Sequence, residues 1–382
     1  MASETTSASA QKYEPGTHPD MEPPVLTSGP IFWLKENLFG SITSTILTLL
    51  SAYLLWLVIP PLLNWAVFDA ILNAGSRSEC QETANGACWA FIKERYVLLI
   101  YGFYPIEERW RPNLTFILMC VAIGSVLWEQ MPARQHFLKF AVAFPFVAAV
   151  VLLGGEWFGI STGLKQVTTD QFGGILLTIV IGVTGISFSL PIGIVLALGR
   201  QGHLPIVRIV CVLFIEFIRG VPLITLLFVA STMLNYFLPP GTQFDLLLRV
   251  LIMVTLFASA YMAEVIRGGL QAMPNGQFEA GNSLGLKYWQ SMRLIILPQA
   301  LKISIPGIVN TFIGLYKDTT LVVVIGLLDP LGVADMSLAD SKWQGLSNEI
   351  YIFIALFFFV CCFSMSRYSL YLENKLHRGH KR

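Results

Sequence analysis

Three clusters of charged residues lie within or beside apolar stretches of this chain, where each charge needs a partner or a task. In the first cluster, Glu216 and Arg219 are three residues apart, so a helix would place them on one face as an ion pair. Gly220 and Pro222 follow and predict a break in that helix before the next apolar stretch. The spacing favours a structural ion pair at this elbow.

The second cluster contains Glu264 and Arg267, again three residues apart. This spacing predicts a structural ion pair. It leaves open a second role, in which Glu264 receives the ammonium group of an amino acid. Ala260 and Ala263 are small residues close to Glu264 in the sequence. Tyr261 lies one turn away from Glu264, where it could shape a pocket or donate its hydroxyl. The two roles do not exclude each other, and both stay open.

The third cluster is the run Lys317, Asp318 and Thr319. Adjacent residues of a helix point about 100° apart and do not face each other, so Lys317 and Asp318 need partners elsewhere. Those partners would lie on other helices or on another subunit. The run is therefore either an interhelical lock or part of a gate, and the sequence does not rank the two.

A polar segment from Glu279 to Pro298 interrupts a chain that is otherwise mostly apolar. We expect a helix, a turn and a second helix, with Gly285 at the turn in a conformation such as positive φ. The knob formed in this way would present four side chains, Glu279, Leu286, Tyr288 and Trp289. A membrane protein has little other reason to carry such a hinge between two spans.

The composition indicates an all-α polytopic membrane protein. Hydrophobic residues make up 54% of the chain and charged residues only 13%, whereas soluble proteins are about one-quarter charged. Runs of about 20 apolar residues are long enough to cross a bilayer as helices. The net charge of +1, without a basic stripe, gives no indication of nucleic-acid binding. We expect eight spans, at Ser41–Trp65, Leu114–Trp128, Phe137–Glu156, Gly174–Gly199, Val221–Phe237, Leu246–Ile266, Ile303–Leu328 and Ile350–Tyr371.

Residues 1–40 are rich in Ser, Thr and Pro, so we expect a disordered tail there. Most of the 25 Lys and Arg residues fall on the side of the membrane that would carry both termini. The positive-inside rule therefore predicts a cytoplasmic N-terminus, a cytoplasmic C-terminus and a cytoplasmic segment 274–300. The stretch Tyr96–Tyr104 is apolar but too short to span, so it would lie at the interface or pack on the bundle.

A long insert at residues 66–113 would face the periplasm under this topology. It contains Cys80 and Cys88, which could form a disulfide in an oxidising compartment or remain two free thiols. The other four cysteines lie in apolar runs and are expected to be small buried side chains. No spacing of His and Cys indicates a metal site, and we expect no cofactor.

Several motifs, in the right order, resemble the polar amino-acid branch of ABC importer permeases, the histidine/glutamine/arginine permease family. The polar segment resembles the EAA loop, E-A-A-x3-G-x9-I-x-L-P, which in that family docks into a cytoplasmic ATPase. The matching positions are Glu279, Ala280, Gly281 (Ala in the pattern), Gly285, Ile295, Leu297 and Pro298. Other motifs of the family resemble the stretches Glu216–Leu223, Ala260–Gln271, Pro274–Glu279 and Lys317–Leu321.

This resemblance implies a five-span type I ABC importer permease core at residues 174–382, preceded by three additional spans at residues 41–173. That layout resembles the M-type permease of general L-amino-acid importers of the Aap/Bzt type. The implied partners are a second, different permease subunit, two ATP-binding subunits, a periplasmic substrate-binding protein, the lipid bilayer and an amino-acid substrate. The implied location is the bacterial inner membrane.

Two other functions compete with this interpretation. A secondary transporter driven by an ion gradient would predict internal repeats and unpaired acids near mid-membrane, and it leaves the polar segment without a purpose. A membrane scaffold would not explain charged clusters in so many spans. The nearest candidate for a phosphate-binding loop, Gly159–Gln166, has the wrong spacing and lacks Ser or Thr after Lys165, so the energy for transport must come from another polypeptide. No Ser-His-Asp or Cys-His set is arranged as a nucleophilic site, so an enzyme is not expected.

Overall fold

A computed structural model describes residues 29–378, apart from residues 84, 129, 158, 203, 234–235, 237–238 and 240–243. Most of the predicted disordered tail, residues 1–28, lies outside the described part of the chain. Helix α1, Pro30–Leu38, occupies the end of that tail. The prediction of disorder is wrong for these residues, because Pro30 at the helix start, where its missing N–H costs nothing, allows a short helix to begin.

The chain divides into two units, Met1–Asp69 and Ala70–Arg382. The first unit contains α1 and α2, Ile42–Leu63, which a π-helical turn extends to Phe68. Helix α2 begins where the Oγ of Ser41 accepts a hydrogen bond from the backbone N–H of Ser44 at 3.1 Å. The extended helix is long and apolar enough to cross a membrane, as the first predicted span requires.

The second unit contains the remaining helices and one short antiparallel strand pair, β1 (Glu156–Trp157) with β2 (Ile160–Ser161). The helices are α3 (Arg77–Thr83), α4 (Trp89–Tyr101), α5 (Trp110–Leu127), α6 (Arg134–Leu153), α7 (Gly174–Gln201), α8 (Pro205–Gly220), α9 (Leu223–Phe228), α10 (Leu246–Gln271), α11 (Asn275–Ser283), α12 (Tyr288–Ser291), α13 (Leu297–Asp318), α14 (Pro330–Leu338) and α15 (Ser347–Arg378). Within the described residues, seven helical segments are long and apolar enough to span a membrane, and a bent helix pair makes an eighth. The all-α prediction is confirmed, and seven to eight candidate spans agree with the prediction of about eight.

The eighth span is broken at the predicted elbow. Helix α8 ends at Gly220, and α9 begins at Leu223 after Pro222, at an angle of 102° to α8. Pro222 has no backbone N–H to continue the hydrogen bonding of α8. It also restricts the residue before it to an extended conformation. The apolar stretch predicted to begin at residue 221 is therefore only the second arm of this span.

Helices α7, α10 and α13 pack together at the centre of the second unit, and small residues of α7 permit the close approach. A Cβ atom on Gly193 would lie 2.7 Å from the side chain of Met262 in α10. A Cβ on Gly185 would lie 2.9 Å from the side chain of Leu315 in α13. Because helices in lipid associate through close packing, these glycines fix the spacing of the bundle.

The insert between α2 and α5 packs onto the segment that connects α13 to α15. Cys80 and Cys88 form a disulfide, which resolves the choice that the sequence left open. The ring of Phe91 in α4 stacks on Trp343 with centroids 5.5 Å apart, and both side chains are fully buried. The backbone N–H of Cys88 donates to the carboxylate of Glu349 at 3.2 Å. Helix α4 thus packs on the bundle, one of the two positions predicted for its apolar stretch.

Two ion pairs attach the same insert to the α14–α15 connection. Arg95 pairs with Asp340, and the Nζ of Lys342 lies 3.0 Å from the carboxylate of Glu94. Burial raises the pKa of Glu94, but hydrogen bonds and the positive charges of Lys342 and Arg95 outweigh burial, so this pKa lies below its ordinary value. The insert is therefore joined to the bundle by apolar contacts at its centre and by charges at its rim.

The loops of the second unit divide between its two ends. The backbone N–H of Gly174 donates to the carbonyl of Leu328 at 2.8 Å, and Thr169 donates to Asp245. We call this end, with residues 70–109, 154–173, 244–245 and 326–346, the insert end. The opposite end contains residues 272–296, and we call it the coupling end.

Candidate functional site

The carboxylate of Glu264 is surrounded by three arginines near the coupling end. Its Oε1 accepts a hydrogen bond from the Nη1 of Arg200 at 2.6 Å. Its Oε2 accepts from the Nη2 of Arg267 at 2.8 Å and lies 3.5 Å from the Nη1 of Arg219. The side chain of Glu264 is only 14% exposed. A carboxylate this deep requires such partners, because an unpaired buried charge is costly.

The predicted pair of Glu264 with Arg267 is confirmed, but the predicted pair of Glu216 with Arg219 is wrong. Glu216 accepts a hydrogen bond from Arg200 at 2.9 Å, and Arg219 points to Glu264 instead. The physical reason is the meeting of α7, α8 and α10. It brings a more buried carboxylate within reach of Arg219 and supplies Glu216 with a cation from another helix.

Arg200 is the member of this cluster that sequence reasoning missed. It lies at the end of α7 and contacts acids 16 and 64 residues further along the chain. No local spacing predicts such pairs. The available signal was a basic residue in the last turn of a span, which the positive-inside rule explains without any partner.

Tyr261 belongs to the same cluster. The guanidinium of Arg219 lies over the Tyr261 ring, 5.5 Å from its centroid, and Phe257 packs against the ring at 4.9 Å. Tyr261 is 37% exposed and Arg219 is 34% exposed, so they are accessible while Glu264 is not. With three arginines against two glutamates, one positive charge is left over.

The polar segment has the predicted form of a helix, a turn and a helix. After α11, the backbone N–H of Leu286 donates to the carbonyl of Gly281 at 3.2 Å, and that of Gly285 donates to Asn282 at 2.9 Å. This pair of bonds is a Schellman motif, which ends a helix with a residue in the left-handed conformation. Gly285 has φ of +68°, so the predicted positive φ is confirmed.

A close contact explains why Gly281 stands where the EAA pattern has alanine. A Cβ atom on Gly281 would lie 2.4 Å from the Oγ of Ser291 in α12 and 3.9 Å from the side chain of Ile295. Helix α13 then begins with Leu297 and Pro298. The segment is thus a compact hairpin of helices whose two arms touch at Gly281.

The outer surface of this hairpin carries exposed large side chains. Leu284 is 73% exposed and Trp289 is 67% exposed, and Tyr288 stacks edge-on against Trp289. Of the four side chains predicted for the knob, Glu279, Tyr288 and Trp289 are exposed. Leu286, the fourth, is half-buried, and its backbone N–H is bonded back to α11 in the Schellman turn.

The third predicted cluster lies at the end of α13. The Oγ1 of Thr319 donates to the carbonyl of Tyr316 at 2.8 Å and is fully buried. Lys317 is exposed and Asp318 is half-buried. Neither forms an ion pair with any other residue that the structure describes. The choice between lock and gate therefore stays open.

In the described part of the chain, no group of His, Cys, Asp and Glu is placed to hold a metal ion.

Comparisons with known proteins give consistent matches. A family profile described as binding-protein-dependent transport system inner membrane component matches residues 189–378. The inner membrane amino-acid ABC transporter permease protein YhdY of Escherichia coli is 47% identical over 364 residues, which are 95% of this chain and 97% of that protein.

Two further relatives differ in how much of this chain they match. The glutamate/glutamine/aspartate/asparagine transport system permease protein BztC of Rhodobacter capsulatus is 45% identical over an alignment of 420 positions, which covers 94% of this chain and 96% of that protein. The probable glutamine ABC transporter permease protein GlnM of Bacillus subtilis is 34% identical over 213 residues, 55% of this chain and 94% of that protein. Some relatives therefore match nearly the whole chain, and others only about half of it.

The contact between Gly281 and Ser291 predicts a compensating pair of substitutions. Gly281→Ala should destabilise the purified protein by about 1–3 kcal/mol, since it forces a methyl group against a hydroxyl in a packed hairpin. The double variant Gly281→Ala/Ser291→Ala should recover most of this loss. Thermal unfolding in detergent measures both.

Gly276→Ala is the matched control, because Gly276 is in the same helix with open space around its Cβ position. That substitution should be neutral or slightly stabilising. Equal melting temperatures for the Gly281→Ala and Gly276→Ala variants would show that the two helices are not in contact.

Proposed function

The chain belongs to the inner membrane components of binding-protein-dependent transport systems, among the amino-acid ABC transporter permeases, and we propose that it forms half of the pore through which L-amino acids enter the cell. As a permease it has no enzymatic activity of its own. The energy comes from ATP hydrolysis by a separate subunit. Whole-length relatives that transport amino acids support this cargo.

The observation that carries the proposal is the helical hairpin at the coupling end. It exposes Leu284, Tyr288 and Trp289 within a single short motif, and the rings of Tyr288 and Trp289 are in contact. Large aromatic side chains commonly anchor protein–protein interfaces. We propose that this hairpin is the coupling loop and inserts into a groove of the ATPase subunit, so that nucleotide-driven movement of the ATPase reaches the pore.

A substrate-binding protein and an ATPase are the partners that membership of this family implies. We propose two ATP-binding subunits and a second, different permease. Lys317 and Asp318 support the second permease, since neither has an ionic partner in the part of the chain that the structure describes. A charged partner from a second permease, at the lock or gate predicted there, would satisfy them.

We propose that the insert end faces the periplasm and that both termini lie in the cytoplasm. The disulfide between Cys80 and Cys88 supports this orientation, because such bonds persist in oxidising compartments. The basic residues of the coupling end support it independently, since positively charged loops remain in the cytoplasm. An ATPase would then meet the coupling loop on its own side of the membrane.

We propose that the amino-acid cargo contacts the ion cluster, with Tyr261 and Glu264 as predicted and Arg219 as a third member. Glu264 already binds three guanidinium groups, so an incoming ammonium group would have to share that carboxylate. Arg219 has a single contact to Glu264, at 3.5 Å, and is partly exposed beside Tyr261. It can offer donors to the cargo's carboxylate, while Glu264 holds it in position.

A secondary transporter driven by an ion gradient is not favoured. Relatives that match nearly the whole chain are ABC transporter permeases. The acids of the ion cluster are paired with arginines, so they do not resemble the unpaired acids that such a carrier uses to bind its ions.

Gly285→Val should reduce ATP-driven amino-acid uptake by the reconstituted complex at least roughly tenfold. A β-branched residue is strained at a φ of +68°. A strain above about 1.4 kcal/mol lowers the population of the native loop conformation at least tenfold. ATPase stimulation by the loaded binding protein should fall in parallel, while the amount of permease in the membrane stays unchanged.

Gly276→Val serves as the control, because Gly276 has ordinary backbone angles and free space. It should retain most of the uptake. If the Gly285→Val complex transports amino acids at the rate of the Gly276→Val complex, the hairpin does not couple the pore to ATP.

Reporter cysteines test the proposed orientation better than the native pair, because Cys80 and Cys88 are buried. Ser161→Cys at the insert end and Ser283→Cys at the coupling end both replace exposed residues. With Cys120 replaced by Ala, a membrane-impermeant maleimide should label the residue-161 reporter in intact spheroplasts. It should label the residue-283 reporter only after the membrane is permeabilised.

The reverse labelling pattern would invert the topology. Equal labelling of both reporters in intact spheroplasts would likewise contradict it, since the two positions would then share one side of the membrane.

A further inference from the structure

A large cavity lies between α5 and α6, two of the additional spans, and the helices α7 and α10 of the permease core. Its volume is about 1110 Å³, and its walls come from α5, α6, α7 and α10. The wall residues within these helices are mostly apolar, and they include Phe116, Met119, Phe146, Val180, Val183 and Leu251. The cavity therefore lies along segments that cross the membrane, next to the core and on its insert-end side.

The size and lining of this cavity select its occupant by chemistry. It is as large as the upper range of ordinary small-molecule pockets, about 1,000 Å³. A zwitterionic amino acid would lose its hydration there without gaining charged partners in the apolar walls. Apolar walls offer water no hydrogen-bond partners, whereas apolar ligands bind in such cavities. The acyl chains of a membrane lipid are the available hydrocarbon.

The mouth of the cavity, at the insert end, is acidic. Glu156, Asp170 and Asp245 line it, and all three are exposed. No Lys or Arg is among the residues that line the cavity in the described part of the chain. A headgroup with a net negative charge would be repelled here, and a headgroup with an ammonium group would be attracted.

We propose that this cavity binds phosphatidylethanolamine, with its acyl chains between α5, α6 and α7 and its amine at the acidic mouth. The bound lipid fills the space where α5 and α6 meet α7 and α10 and so stabilises their packing. This assigns a lipid-binding role to α5 and α6. It is independent of the cargo and of the coupling loop.

The experiment measures the lipids that copurify with the complete complex, extracted in mild detergent from membranes of known lipid composition. Quantitative mass spectrometry gives the ratio of bound phosphatidylethanolamine to bound phosphatidylglycerol. For the unaltered complex this ratio should exceed that of the membrane. Glu156→Gln and Asp170→Asn should each lower it roughly fivefold, the factor that one charge contributes at a membrane surface. Both positions are exposed, so folding should be unaffected.

A cavity-filling pair separates the cavity from general lipid adhesion. Ala149→Phe places a ring inside the cavity, and Ala143→Phe places the same ring on an exposed position of the same helix. The first variant should lose most of the tightly bound lipid, and the second should keep it. A ratio equal to that of the membrane, a ratio unchanged by the two acid substitutions, or equal lipid loss in the two Phe variants would each overturn the proposal.

Discussion

The arrangement of the coupling end depends on the burial of one carboxylate. Glu264 lies in the middle helix of the bundle with little exposure, and a charge in that position is tolerated only when opposite charges surround it. The three arginines that do so come from the ends of α7 and α8 and from α10 itself. The requirement to neutralise Glu264 therefore fixes the relative position of three helices where they approach the helical hairpin at the coupling end.

Helix α10 also carries, together with α13, the helical hairpin that we propose as the coupling loop. Helix α10 ends about two turns after Glu264 and leads directly into α11. On its other face, Gly269 lies so close to α13 that a Cβ would meet the carbonyl of Ala300 at 2.5 Å. The Oγ of Ser304 in α13 donates to the carbonyl of Val265 at 3.3 Å. Both ends of the hairpin thus arise from helices in direct contact, so a force on the knob acts on the packed pair α10–α13 and on the ion cluster beside it.

Local features were predictable from the sequence because their causes are local. The positive φ at Gly285 and the elbow at Pro222 follow from the steric properties of single residues. The spans follow from hydropathy and length.

The pairing inside the ion cluster was only half predicted, since i,i+3 spacing gives Glu264 with Arg267 but carries no information about Arg200. The attachment of the insert to the α14–α15 connection joins residues far apart in the chain, and the cavity beside α5 and α6 is a property of the space between helices. Neither the attachment of the insert nor the cavity produces a recognisable pattern in a single amino-acid sequence.

The account rests on Glu264 as the charge that holds the coupling end together, and a double-mutant cycle between Glu264 and Arg200 tests it most directly. The measurement is the free energy of unfolding of the purified permease for Glu264→Gln, Arg200→Gln and the double variant. A control cycle replaces Arg200→Gln with Arg208→Gln, which changes an exposed position on α8. We expect Glu264→Gln alone to cost about 3 kcal/mol, because it leaves the arginines uncompensated. The double variant should be more stable than the sum of the single effects predicts by more than about 1 kcal/mol, whereas the control pair should be additive within about 0.5 kcal/mol. Additive effects of Glu264→Gln and Arg200→Gln, or a fully stable Glu264→Gln protein, would contradict the account.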